Sequence, residues 1–167
     1  VLGPMTNPAG AKRQVIGVFS RDWQHKMAEV LQLLESEHAM VVHSDGLDEI
    51  RLDAPTHVVE LKNGAITEYD ISPSDLGLEP RTDADLTGIV ANSAESSLAL
   101  VRQSLNDDSS AAADIVALNA GAAIYVSGIA NSLLNGVEMA QDAISSGQAK
   151  ERLAELVRIT SLMSESS

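Results

Sequence analysis

The sequence predicts an α/β chain with a mixed, mostly parallel sheet flanked by helices, and three observations carry that expectation. Short β-branched runs alternate with a stretch of helical period near the amino end. Asn63-Gly64 separates two further β-rich runs, which is a strong hairpin signal. From Ala111 to Met163 the pattern is helical and rich in small residues. With 167 residues the chain is long enough for one domain with its own core. Phe19, Trp23, Tyr69 and Tyr125 are its only aromatic residues, so that core is expected to be Ala, Val, Leu and Ile.

Residues 1–10 read as a loop, with Gly3-Pro4 and Asn7-Pro8 fixing turn or extended backbone. Residues 11–92 form the strand-rich part. Gln14 to Phe19 is a short buried strand, and Ser20 or Asp22 offers an N-cap to a helix. The apolar face expected for that helix is Trp23, Met27, Val30, Leu31 and Leu34. Ala39 to His43 is a second apolar run that ends in an acidic turn. Strand, helix and strand in this order predict a parallel βαβ unit, whose ligand sites lie beyond the carboxyl ends of its strands. Thr56–Leu61 and Ala65–Asp70 are the hairpin strands. Ser72 to Pro80 is a loop or single helical turn, and Gly88 to Asn92 is a weak strand within a polar stretch from Arg81.

Residues 93–167 are the helical part. Ser93 caps a helix through Leu98, Val101, Arg102 and Leu105, which the polar run Asn106 to Ser110 ends. Gly121, Gly128, Gly136 and Gly147 interrupt the helical pattern from Ala111 onward. Asn119 to Ala123 has so little bulk that another backbone can approach it, and it is read as a helix buried against the sheet. Leu153, Leu156, Val157, Ile159 and Thr160 give a last amphipathic helix, which frays over residues 161–167.

Composition removes several function classes. A formal charge of -13, with no stripe of Lys and Arg to offset it, argues against nucleic acid as a partner. A phosphorylated substrate must then be handled by a metal ion or by local backbone donors. There is no cysteine, hence no disulfide framework or thiolate chemistry, and no run of apolar residues long enough for a membrane span. The expected location is cytoplasmic, without membrane contact.

The densest chemical signal is His43 to Glu49. Asp45, Asp48 and Glu49 place three carboxylates just after a strand, with Gly46 permitting a tight turn. Such a cluster can share a hard cation with substrate phosphates, although a solvated acidic turn is the commoner meaning of the pattern. Its spacing does not fit a calcium-binding loop. His25, His38, His43 and His57 form no paired zinc motif on a helix, and only His43 borders the acidic turn. Neither common glycine-rich phosphate loop occurs, and no serine sits in the context of a hydrolase nucleophile. No catalytic residue is assigned.

Taken together, LGPMTNPAGAKRQVIGVFS, SEHAMVVHSDGLDEI, EYDISPSDLGL and DIVALNAGAAIYVSG resemble the carboxy-terminal part of the anthranilate phosphoribosyltransferase family. The four blocks lie in the family's order and span almost the whole chain. The resemblance implies the α/β domain shared by nucleoside phosphorylases and phosphoribosyltransferases. It implies Mg²⁺-dependent transfer of the phosphoribosyl group from phosphoribosyl pyrophosphate to anthranilate, in tryptophan biosynthesis, with release of pyrophosphate. It assigns Asp48 and Glu49 to Mg²⁺ and Pro8, Ala9 and Gly10 to anthranilate. The family's helical domain, its glycine-rich pyrophosphate loop, a KHGN-type segment and an Arg before Leu2-Gly3-Pro4 would lie upstream of Val1. The chain is therefore expected to carry about half of an active site and to be inactive alone, and a homodimer is implied for the full-length enzyme. A pyrimidine nucleoside phosphorylase-like enzyme and a non-catalytic binding remnant are the alternatives.

Overall fold

The computed structural model describes residues 3–82, 86–106 and 109–165. Four strands form one sheet in the order β1 (Arg13–Gly17), β2 (His38–His43), β3 (Thr56–Lys62) and β4 (Ala65–Ile71). β1 and β2 run parallel, with Ile16 opposite Val41, and α1 (Gln24–Leu33) makes the crossover between them. β2 and β3 are antiparallel, with Val41 opposite Val59, and β3 and β4 are antiparallel through the hairpin. The sheet is thus mixed, but the expectation of a mostly parallel sheet is corrected to one parallel pair and two antiparallel pairs. The reason lies in residues 44–55, which contain no helix to carry the chain back over the sheet, so β3 returns directly beside β2. The hairpin turn is as expected: Asn63 and Gly64 both take positive φ, 52° and 78°.

The alternation of the strands divides the core into two layers. Ile16, Ala39, Val41, Val59 and Leu61 pack with Met27, Ala28 and Leu31 of α1 on one face. Met40, Val42 and Val58 pack on the other with Leu118, Ala122 and Val126 of the long helix α3 (Ala111–Ser127). β2 contributes to both layers, which explains its unbroken apolar run. The buried face of α1 is Gln24, Met27, Ala28 and Leu31, whereas Trp23, Val30 and Leu34 face outward. Ser20 caps a 3-10 turn over Arg21–Trp23 that leads into α1, rather than α1 itself.

α2 (Ala94–Ser104) starts at Ser93, whose side chain accepts from the Ser96 amide. α3 and α4 (Leu133–Ser145) cross at the small residues. A Cβ on Gly121 would lie 2.6 Å from the Val137 backbone, and one on Gly136 would lie 2.3 Å from the Gly121 carbonyl. Residues 119–123 predict a helix buried against the sheet with room for a close backbone approach; α3 does pack on the sheet, through Ala122, and the backbone that approaches it at Gly121 is that of α4. Pro73–Leu76 is the anticipated single turn, and residues 3–6 also form a 3-10 turn within the predicted loop.

Three expectations fail. Gly88 to Asn92 forms no strand; Ile89 and Val90 instead donate back to the Leu86 and Thr87 carbonyls in successive turns. α5 (Gln148–Glu165) has the expected period, but Leu156, Val157 and Ile159 are exposed. That helix also continues to Glu165 instead of fraying from residue 161. Residues 1, 2, 83–85, 107–108 and 166–167, which belong to the opening loop, the polar stretches and the tail, lie outside the described residues.

Candidate functional site

The acidic turn sits beyond the carboxyl ends of β1 and β2. Ser44 and Leu47 exchange backbone hydrogen bonds of 3.0 and 2.7 Å across Asp45-Gly46, with Gly46 at φ 82°. Beyond Leu47 the next three peptide units are each held by a different part of the fold. The Asp48 carbonyl lies against Gly17 so closely that a Cβ there would fall 1.6 Å from its oxygen. The Glu49 carbonyl accepts from the Ser44 hydroxyl at 2.8 Å. The Ile50 amide donates to Asn119 Oδ1, and the Ile50 carbonyl accepts from Asn119 Nδ2, both at 3.0 Å.

A directed hydrogen-bond chain completes the clamp. The Arg51 amide donates to Thr56 Oγ1 at 3.2 Å, and the Thr56 and Ser44 hydroxyls meet at 2.9 Å. The single Ser44 proton goes to the Glu49 carbonyl, so Thr56 is the donor between the two hydroxyls. Arg51 also reaches the Asp45 carbonyl at 2.6 Å and pairs with Asp53, and the Arg51 hydrogen bond holds the Asp53 carboxyl below its ordinary range.

All of this fixes backbone and leaves the carboxylates alone. Asp48 and Glu49 are exposed, and no hydrogen bond or ion pair from the described residues engages either carboxylate. Such a pair, with hard oxygen donors on a hydrogen-bonded turn, fits a hard cation that keeps other positions for phosphate or water. Among the described residues no group of three or more His, Asp or Glu is gathered as a complete protein cage. Glu49 lines a largely apolar cavity of about 520 Å³, together with Leu47, Leu52 and Ile115.

The other assigned residues lie elsewhere. Pro8, Ala9 and Gly10 are exposed and precede β1, at the end opposite to Gly17. Gly10 lines a smaller cavity of about 170 Å³ with Met5, Lys12 and Leu31. β1, from Arg13 to Gly17, lies between the two groups and by itself spans roughly 13 Å, from a rise of about 3.3 Å per residue. The structure therefore brings Asp48 and Glu49 together and keeps Pro8 to Gly10 apart from them. His43 donates from Nδ1 to the Val18 carbonyl at 2.7 Å and borders a separate polar cavity with Arg21, His57 and Asp70.

Sequence reasoning missed Gly17, Ser44, Asn119 and Gln24. Gly17 interrupts a β-branched strand, a pattern that signals close backbone approach. Gln24 is fully buried and ties α1 to the sheet: Nε2 donates to the Val41 and His57 carbonyls, while Oε1 accepts from His57 Nδ1. Burial, followed by the nearby Arg21 cation, lowers the pKa of His57.

The model of the glycosyl transferase family, a/b domain, matches residues 1–150. The chain belongs to that family. Within the glycosyl transferase family it is 54% identical over 167 residues to an anthranilate phosphoribosyltransferase of Teredinibacter turnerae, covering 97% of this chain and 48% of the relative. The Marinomonas sp. enzyme of the same name is 56% identical over 163 residues, covering 96% of this chain and 46% of the relative. The chain thus spans about half the length of the curated relatives it matches. The crystal structure of anthranilate phosphoribosyltransferase from Thermus thermophilus superposes with a TM-score of 0.83 at 39% identity, over 94% of this chain and 46% of that one. The Saccharomyces cerevisiae enzyme in complex with PRPP and Mg shares the fold, with a TM-score of 0.77 at 24% identity over 92% of this chain and 44% of that one. Among the described residues no helix is long and apolar enough to cross a membrane.

Proposed function

We propose that this chain is part of the α/β domain of an anthranilate phosphoribosyltransferase, and that the full-length protein transfers the phosphoribosyl group of phosphoribosyl pyrophosphate to anthranilate. The observation that carries the reading is the exposed, unpaired Asp48–Glu49 couple on a turn whose backbone is fixed at three consecutive residues. The identity to anthranilate phosphoribosyltransferases over nearly the whole chain supports the choice of acceptor.

In this reading Asp48 and Glu49 hold Mg²⁺, which supplies positive charge to the departing pyrophosphate. Because the backbone of the turn is held before substrate arrives, only the two side chains have to settle on the cation, which lowers the reorganisation needed for electrostatic stabilisation. The net charge of -13 on these 167 residues opposes a polyphosphate, and a bound cation supplies the local counter-charge. Pro8, Ala9 and Gly10 contact anthranilate through the part of the site assembled from the remainder of the longer protein. That protein is proposed to be a cytoplasmic homodimer, which light scattering of the purified enzyme tests.

The deciding experiment is loss of anthranilate fluorescence in the presence of phosphoribosyl pyrophosphate and Mg²⁺, using the full-length protein. Turnover is expected in the native protein, together with a large loss in Asp48→Asn combined with Glu49→Gln. An unchanged Mg²⁺ dependence in that double variant would remove the metal assignment, and absence of turnover in the native protein would remove the activity.

A further inference from the structure

We propose that Asn119 is a positioning residue for the Asp48–Glu49 couple, acting through the backbone of Ile50, and that it sets how tightly the turn holds a divalent cation on a diphosphate. The inference rests on the proposed function and extends it to a residue of α3 that does not itself meet substrate.

The geometry is specific. The Asn119 amide engages both polar groups of Ile50, and its remaining Nδ2 proton goes to the Ile115 carbonyl at 3.0 Å. Both amide protons are spent on backbone, and the oxygen is occupied by the Ile50 amide. Asn119 therefore acts as a substitute strand partner for the residue after Glu49. Ile50 is 2% exposed, so without Asn119 its N–H and C=O would be left in a poorly hydrated site. The preceding Asp48 carbonyl packs closely against Gly17 and the Glu49 carbonyl accepts from Ser44, so the Asn119 contact completes a series over three successive peptide units. Removing it frees one end of the turn, and the two carboxylates lose the fixed backbone from which they are presented to a small hard cation.

The position of Asn119 is itself constrained. It lies two residues before Gly121, where α3 meets α4 backbone to backbone. Its amide cannot follow a displaced turn unless that crossing moves as well. An outer group that orients ligands without touching the metal commonly changes affinity by about 10–100-fold when removed.

The test is Mn²⁺ binding to the full-length protein in the presence of inorganic pyrophosphate, read by electron paramagnetic resonance. Asn119→Leu, close in size but without hydrogen bonds, is expected to weaken binding by about 10–100-fold. Asn119→Ser, which leaves a smaller polar group, should give an intermediate loss and remains informative if the leucine variant does not fold. Asn119→Gln, with the amide retained, should restore part of the affinity. Ile144→Val, a buried change on α4 away from the turn, controls for general destabilisation and should bind Mn²⁺ like the native protein. Native affinity in a folded Asn119→Leu or Asn119→Ser variant overturns the positioning role. Asp48→Asn with Glu49→Gln separates the two readings. If that variant loses Mn²⁺ while the Asn119 variants keep it, only the positioning role falls; if it binds like the native protein, the metal assignment falls and the positioning role with it.

Discussion

The two ends of the sheet use carboxylates in opposite ways. At the amino end of β2, Glu60 is buried and saturated: Oε1 accepts from His38 Nε2 at 2.6 Å and from the Tyr125 hydroxyl at 2.8 Å, and Oε2 accepts from the Tyr69 hydroxyl at 2.8 Å. Lys62 completes the group, donating to Tyr125 at 2.9 Å with its ammonium over the same ring. At the carboxyl end, Asp48 and Glu49 lie on a turn hydrogen-bonded at Leu47, the Glu49 carbonyl and Ile50, and among the described residues no partner engages their carboxylates. A carboxylate whose acceptor sites are filled by protein donors builds structure. One left free on a rigid mount is available to a ligand. Burial thus goes with an engaged carboxylate at Glu60, and exposure with an open one at Asp48 and Glu49.

The largest expected effect is at the saturated end. Glu60→Ala leaves three buried or half-buried donors facing an apolar methyl, and should cost about 3–5 kcal/mol of stability in urea unfolding. The second effect is its mirror image. Asp48→Asn with Glu49→Gln should lower turnover of the full-length protein by about 100-fold or more, equivalent to roughly 2.7 kcal/mol in the barrier, while the unfolding midpoint stays nearly unchanged. If both sites moved stability alike, the distinction between them would be lost.

pH gives a third, smaller test. Burial raises the Glu60 carboxyl, but hydrogen bonds from Tyr69, Tyr125 and His38 outweigh it and hold the group below its ordinary 4.5. His57 is held below its ordinary 6.5, first by burial and then by Arg21. In both cases the unfolded chain binds protons before the folded one does. Their contributions are present in full above the ordinary values and are lost as pH falls through the folded ones. The melting temperature should therefore decline from about pH 6.5 downward and more steeply below about 4.5, and Glu60→Gln should flatten only the lower limb. The smallest effect is expected for Lys62→Met, which removes an exposed partner of Tyr125 and should change stability by less than about 1 kcal/mol, read in the same urea titration.

How much of the molecule is legible in its sequence depends on the reach of each interaction. The strand at Gln14, the Asn63-Gly64 hairpin and the Ser93 cap depend on neighbours a few residues away, so their signals are local. The direction of β3 depends on what residues 44–55 fail to provide, and its alternation looks the same in either direction. The outward turn of Leu156, Val157 and Ile159 is equally invisible, because an amphipathic period records a face without recording what covers it. At the site, the acidic cluster is plain in HSDGLDE, but its clamp joins Ile50 to Asn119, 69 positions along the chain. A lone asparagine in an alanine-rich helix carries no mark of so distant a partner.

The crossing of α3 and α4 has a mechanical consequence. Where backbone meets backbone, no side chain can change rotamer to absorb a shift, so the helices are indexed to one another like teeth. Sliding α3 by one residue would carry Asn119 about 1.5 Å along the axis and turn it by roughly 100°. Its amide would then face away from Ile50. Gly121 and Gly136 thus act as a ruler, converting the tolerance of a helix contact into the tolerance of the acidic turn beyond the carboxyl ends of β1 and β2.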